Sequence, residues 1–215
     1  MLTKKKVQFT AIFSLLISFS IYAQTDSSSA TSSIDLIYGY RMFNQNFSNQ
    51  FNTTTNLSYK NPVQLGGLQI SDNKYVNKYL DYYGAISYRQ VIPQNILVQN
   101  ITSKVNGFVF GLDYGLSLGV SNKFKVLVGI GFNTGRMKLH ADNQIDLKNP
   151  FFSPKISIQP KLVIKKLVLS VRAEYDFDIS KTDWRKRASS STNTVILNNF
   201  KQSGFTPLFC IGMLI

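Results

Sequence analysis

The sequence predicts an all-β fold, in which eight antiparallel strands close up-and-down into a transmembrane β-barrel with a filled, polar lumen. Three observations carry that prediction. The first is the stretch 104–120, where Phe108, Phe110, Leu112, Tyr114, Leu116, Leu118 and Val120 alternate with Gly107, Val109, Gly111, Asp113, Gly115, Ser117 and Gly119. A period of two puts these sets on opposite faces of one strand, whereas a helix would mix them. The second is the character of the other face. A water-facing antiparallel sheet shows Lys, Glu and Thr; small residues with one carboxylate suit a cramped interior, and the large apolar face is left to meet lipid. The third is spacing. Between the eight strands the connections run about 19, 7, 12, 3, 12, 2 and 24 residues, so long loops at one end answer tight turns at the other.

The elements follow in order. Residues 34–43 place Ile34, Leu36, Tyr38, Tyr40 and Met42 opposite Asp35, Gly39 and Arg41. Residues 44–62 are rich in Asn, Gln, Ser and Thr, contain no acid, and read as a long polar loop. The second strand is 63–71, where Gly66 and Gly67 interrupt the alternation as a bulge that shifts parity by one would. Residues 72–78 read as a turn. The third strand, 79–91, sets Leu80, Tyr82, Gly84, Ile86 and Tyr88 against Asp81, Tyr83, Ala85, Ser87 and Arg89. Pro93 ends it. The stretch 104–120 is the fourth strand, and Ser121 to Lys123 turns it into the fifth, 124–139. There Val126, Val128, Ile130 and Phe132 oppose Lys125, Gly129, Gly131 and Asn133, making a hairpin with matched faces.

Residues 140–151 read as a polar loop. The sixth strand carries Phe152, Ile156, Ile158, Leu162 and Ile164 against Ser153, Lys155, Ser157, Gln159 and Lys161. Pro160 within it should remove a ladder hydrogen bond unless a bulge absorbs it, because a closed barrel has no free edge. After Lys165 and Lys166, the seventh strand sets Leu169, Val171, Ala173, Tyr175 and Phe177 against Ser170, Arg172, Glu174, Asp176 and Asp178, a face too charged for lipid. Residues 180–203 form the longest loop, and 204–215 the last strand. An even strand count puts both ends on the side of the tight turns.

Residues 1–23 have the order of a secretory leader: Lys4, Lys5 and Lys6, an apolar run to Tyr22, then Ala23 before Gln24 as the cleavage point. The run falls short of the ~20 residues a spanning helix needs. Residues 24–33 read as a flexible lead too poor in apolar side chains to pack, and 34–215 as the barrel domain. The whole chain has a formal charge of +13, and +10 remains once the three leader lysines are gone. Export and the lack of any recognised module exclude nucleic acid as the partner; anionic lipid is the expected counter-charge. The one cysteine, Cys210, excludes an internal disulfide and a cysteine metal cluster. No metal and no cofactor is expected, because one histidine with scattered carboxylates has no ligand spacing.

This pattern resembles the small eight-stranded outer-membrane barrels of Gram-negative bacteria over the whole mature chain. The Ala23-Gln24 junction and the many Asn, Lys and Tyr residues resemble Bacteroidota members. The resemblance implies a porin-like architecture in the outer membrane, insertion by the barrel assembly machinery, a monomer, and a structural or surface-interaction role. The terminus departs from the many such proteins that end in an aromatic residue: this chain ends Gly212-Met213-Leu214-Ile215.

The lumen face collects Asp35, Arg41, Asp81, Arg89, Asp113, Lys125, Lys155, Lys161, Arg172, Glu174, Asp176 and Asp178. Eight strands enclose a space that side chains fill, and a buried charge must be paired. These residues are therefore expected to form a structural network, with a narrow channel for small solutes as the alternative. Asp113 is expected to face Lys or Arg across the lumen. Arg136 and Lys138 take the outward parity near the loop end of their strand, and the longest loop holds Trp184, Arg185, Lys186 and Arg187. Guanidinium groups suit phosphate and Trp suits a membrane interface, so lipopolysaccharide is the expected contact. Tyr38, Tyr40, Tyr88 and Tyr175 read as interfacial girdle residues. An enzymatic alternative, a lipid A deacylase or acyltransferase, falls on His140 with Asp142 and Ser153 nearby in sequence, although His140 reads as a solvated loop residue. A soluble lipocalin-type barrel would invert the two faces.

Overall fold

The structure, a computed structural model, describes residues 31–44, 62–77, 79–98, 101–119, 123–141, 145–180, 184–186, 195–197 and 202–215. Its strands are β1 (Thr31–Phe43), β2 (Val63–Asn77), β3 (Leu80–Val91), β4 (Gln94–Val98), β5 (Ile101–Gly119), β6 (Phe124–Ala141), β7 (Ile145–Ile164), β8 (Leu167–Asp176), β9 (Trp184–Lys186), β10 (Val195–Leu197) and β11 (Gly204–Leu214). Eight of them, β1, β2, β3, β5, β6, β7, β8 and β11, pair antiparallel in that order, and β11 returns to β1 to close the barrel. At the loop end β4 pairs with β5, β9 with β7, and β10 with β9.

Followed across the strands, the register passes from Ser33 through Ser71, Ala85, Asp113, Gly131, Lys155, Asp176 and Gly204 to Phe43, ten residues along β1 from where it began. That stagger tilts the strands and, with eight of them, leaves an interior that side chains occupy. The exterior of the barrel is apolar: Leu36 is 66% exposed and Ile130 67%. A continuous surface of such residues is stable only against lipid.

The facing inverts near the loop end. On β6 the outward residues Val126, Val128, Ile130 and Phe132 give way to Thr134, Arg136, Lys138 and His140, while the inward Gly129, Gly131 and Asn133 give way to Met137 and Leu139. On β7 the inward Leu147 and Phe151 precede Ser153, Lys155 and Ser157, and the outward Lys148 precedes Phe152, Ile156 and Ile158. In lipid the apolar set must point out; in water the same strand must turn its apolar set in. The switch marks where the wall leaves the bilayer.

This inversion corrects two expectations. Residues 140–151 are not a loop: β6 and β7 stay paired as far as Ala141 and Ile145. Gly66 and Gly67 are not a bulge, since both pair in unbroken register with Ile37 and Tyr38 on one side and with Arg89 and Gln90 on the other. The change of parity from the inward Leu65 to the outward Leu68 is the facing switch itself. The irregularity in β2 lies between Tyr75 and Asn77 instead. The expected turn at 72–78 is strand through Asn77. The last residues of the expected lead, Thr31 to Ser33, also belong to β1, where Ser33 and Ser71 hydroxyls meet at 2.8 Å inside the barrel. Pro160 removes ladder pairing as expected, but no bulge absorbs it. The β7–β8 ladder lapses between Ile158↔Ala173 and Lys161↔Ser170 and resumes in the same register. At the far end of these two strands Lys165 has φ 56°, which a two-residue hairpin turn requires of its first residue.

Candidate functional site

All twelve charged residues expected inside the barrel take inward positions, six cations and six anions. Glu174 is their hub. It accepts from Arg89 Nη1 at 2.7 Å, Lys155 Nζ at 3.0 Å and Asn133 Nδ2 at 3.2 Å, and Arg172 Nε lies 2.9 Å from it as an ion pair. Asp113 pairs with Lys155 at 2.8 Å and with Arg172 Nη2, as the glycines around it implied. Gly111 matters directly, because a Cβ there would stand 2.7 Å from Asn133 Oδ1 and 2.9 Å from Arg89 Nη2. Asn133 links the hub outward by donating to Asp176 Oδ1 at 2.6 Å, and Arg41 Nη2 lies 3.4 Å from Asp176. Toward the turn end Arg172 donates to Gln69 at 2.6 Å, Gln69 to Asp35 at 3.2 Å, and Lys161 to Ser33 at 3.3 Å. Lys125 pairs with Asp81 at that mouth.

Asp178 does something else. Its carboxylate accepts the Gln202 amide at 2.6 Å, the Ser180 amide at 2.9 Å and the Ser180 hydroxyl, while its own amide donates to Ser203 Oγ at 2.9 Å. It therefore ties together the two ends of the longest connection. Arg41 joins this latch to the network, donating to the Gln202 carbonyl at 3.1 Å with its guanidinium 4.5 Å from the Phe151 ring centre.

Above the charges lies an apolar layer that periodicity did not reveal. Val63, Leu65, Val91, Val105, Val109, Met137, Leu139, Leu147 and Phe151 are all buried, at 3% exposure or less. They are the inward set after the facing switch, and they cap the lumen on the loop side.

Outside, Arg136 and Lys138 are exposed on β6 just beyond the lipid-facing band, as expected. Trp184, Arg185 and Lys186 form the backbone of β9, while Arg187 lies outside the described residues. The neighbouring strands add Lys104 on β5 and Lys148 on β7, both on the outward parity. Sequence reading missed Lys148 because it took residues 140–151 as a loop, where continued alternation through 137–151 was the available signal; Lys104 was placed at the start of the fourth strand but given no role. His140 is not in a loop. It sits in β6 with Lys104 opposite on β5 and Asp146 opposite on β7. Ser153 is fully buried on the inward face, whereas His140 faces out, so a β-strand's alternation keeps the two apart; Asp142 lies outside the described residues. Among the described residues, no group of three or more His, Cys, Asp and Glu side chains is placed to hold a metal ion.

Around the band, Tyr38, Tyr40, Tyr88 and Tyr175 face outward, with Tyr88 stacked on Phe108 at 6.4 Å and Tyr175 edge-on to Phe177 at 4.8 Å. Such amphipathic rings belong at a lipid–water interface.

No protein-family model matches the sequence, and no curated protein matches it. Solved structures do resemble it. A major outer membrane protein from Thermus thermophilus superposes with a TM-score of 0.57 at 6% identity, covering 87% of this chain and 100% of that one. Ail, the attachment invasion locus protein of Yersinia pestis, superposes with a TM-score of 0.53 at 10% identity, covering 86% of this chain and 97% of that one. The chain thus has the fold of the small outer-membrane β-barrels, a closed eight-stranded antiparallel up-and-down barrel.

Proposed function

We propose that this chain is an integral outer-membrane protein with a sealed lumen, acting at the bacterial surface through its loop end and contacting lipopolysaccharide there. In this reading a leader of Bacteroidota type is removed near Ala23, the assembly machinery inserts the barrel, and the protein works as a monomer. The observation that carries it is the facing switch on β6. It sets Arg136 and Lys138 immediately outside an apolar band, a position that suits contact with lipid phosphates. Trp184, Arg185 and Lys186 lie on β9, which pairs with β7, and Arg187 follows them in the sequence. Ail, which shares the fold, has been crystallised with the heparin analogue sucrose octasulfate, a polyanion. The channel alternative is disfavoured by a lumen filled with paired charges and capped by apolar side chains. The enzymatic alternative is disfavoured by Ser153 facing away from His140.

The test has two arms. The mature protein should resist carbonate extraction, show heat-modifiable gel mobility, and begin near Gln24 by N-terminal sequencing. Replacing Arg136, Lys138, Arg185, Lys186 and Arg187 by Gln should weaken capture of lipopolysaccharide and lower the melting temperature of the barrel in its presence. Carbonate release would end the membrane assignment, and unaltered capture by the variant would end the rim assignment.

A further inference from the structure

Two prolines disturb the join between β7 and β8. At Pro160 the pairing lapses between Ile158↔Ala173 and Lys161↔Ser170. At Pro154 the strands stay together, but one bond is missing. The Phe177 amide donates to the Pro154 carbonyl at 2.8 Å, and in such an antiparallel pair the return bond runs from the opposite amide to the first residue's carbonyl. Pro154 has no amide hydrogen to return. No other backbone amide among the described residues donates to the Phe177 carbonyl. In a lipid-facing wall water does not replace the missing donor, and an unpaired carbonyl in hydrocarbon is costly.

The depth of this carbonyl follows from the register. Pro154 is level with Phe132 on β6, the last apolar outward residue before Thr134. The carbonyl therefore lies about two residues, ~7 Å along the strand, inside the loop-end edge of the apolar band. The outer wall is also hollowed at this place. Leu112, Ile130, Phe132, Pro154, Ile156 and Phe177 line an open furrow of about 520 Å³. Lys155 contributes main chain to it, since its ammonium is turned into the lumen against Asp113 and Glu174.

We propose that this furrow binds the acyl chain of a lipid in the loop-end leaflet, and that the chain it selects carries a hydroxyl close to its headgroup, which donates to the Phe177 carbonyl. The furrow is continuous with the lipid-facing band, and its apolar side chains accept hydrocarbon. That alone selects no particular lipid; the unpaired acceptor does. A hydroxyl on one of the first carbons of a chain sits just inside the headgroup level, which is the depth of this carbonyl. A plain chain fills the same furrow and leaves the carbonyl unpaired. A hydroxylated chain pairs it, and there the bond has no water to compete with. Neither Arg136 nor Lys138 takes part, so the inference stands or falls separately from contact with lipopolysaccharide.

The experiment uses the full mature protein folded in detergent and an equimolar mixture of two phosphatidylcholines, one with β-hydroxymyristoyl chains and one with myristoyl chains. The headgroup is the same and zwitterionic in both, which keeps the basic loop end out of the comparison. Native mass spectrometry counts the lipid that stays bound. The wild type should retain the hydroxylated lipid about fivefold over the plain one, the factor for one hydrogen bond. Pro154→Ala supplies the missing amide to the Phe177 carbonyl and should bring the two lipids to equal retention, with heat-modifiable mobility showing the barrel intact. Pro160→Ala repairs the other interruption, outside this furrow, and should leave the preference as it is. Equal retention by the wild type, or no retained lipid, would overturn the site. So would a preference that survives Pro154→Ala, or one that Pro160→Ala abolishes as well. A dimer that carries no lipid would seat a second copy of the chain in the furrow and overturn it too.

Discussion

Arg89 Nη1 and Glu174 Oε2, on residues 85 positions apart in the chain, meet at 2.7 Å in the middle of the barrel, with both side chains at 1% exposure or less. Glu174 also faces Lys155 and Arg172. A buried ion cluster is weak evidence for stability, because desolvation offsets most of the attraction; removing one partner is severe, because it strands the others. Glu174→Gln keeps the shape and removes the charge. It should destabilise the folded barrel by roughly 3–5 kcal/mol, read as a lower urea midpoint in detergent. An unchanged midpoint would mean that the three cations are not held by this carboxylate.

The glycines of β6 are equally specific. A Cβ on Gly129 would stand 1.9 Å from Tyr83 Oη, and that hydroxyl lies 3.4 Å from Ser157 Oγ. Gly129→Ala should therefore destabilise by about 1–3 kcal/mol through overpacking. Adding Tyr83→Phe removes the clashing oxygen and should recover about 1 kcal/mol in a double-mutant cycle. Strict additivity of the two changes would show that the ring and the glycine do not touch.

Asp178 offers a test of the latch. Asp178→Ala deletes the acceptor that joins Ser180 to Gln202, a loss of about 1 kcal/mol in local closure. Trypsin cleavage within residues 181–201 should accelerate about fivefold by the corresponding Boltzmann factor, with the barrel itself still resistant. Cleavage at the wild-type rate would assign closure of this connection to other contacts.

Depth is measurable residue by residue. In a Trp184→Phe background, Ile130→Trp should be strongly quenched by brominated lipid chains. Lys138→Trp, beyond the facing switch, should stay near its unquenched intensity. Equal quenching at the two positions would misplace the membrane boundary drawn from β6.

Much of this was readable in the chain. Alternation in 104–119 and in 167–176 determined that these are strands with one face for lipid and one for a tight interior, and it put Asp113, Arg172 and Glu174 on the same side. The same parity set Arg136 and Lys138 facing out. Period-two pattern is a local property, so sequence alone carries it. It misled where the surroundings changed. A lipid-facing strand carries its apolar residues on one parity, and Met137, Leu139, Leu147 and Phe151 sit on the other because their part of the wall stands in water. Paired strands were therefore read as loop, and Leu65 followed by Leu68 as a bulge. Which charges meet was beyond reach in principle. Lys161 and Ser33 are 128 residues apart, and their contact depends on closure of β1 against β11. The register that sets Lys138 opposite Lys148, and Lys148 opposite Arg185, likewise exists only through the pairing of three strands. Sequence determined the faces; tertiary structure decided the neighbours, because a neighbour across a ladder is set by strand order and stagger and not by anything in its own segment.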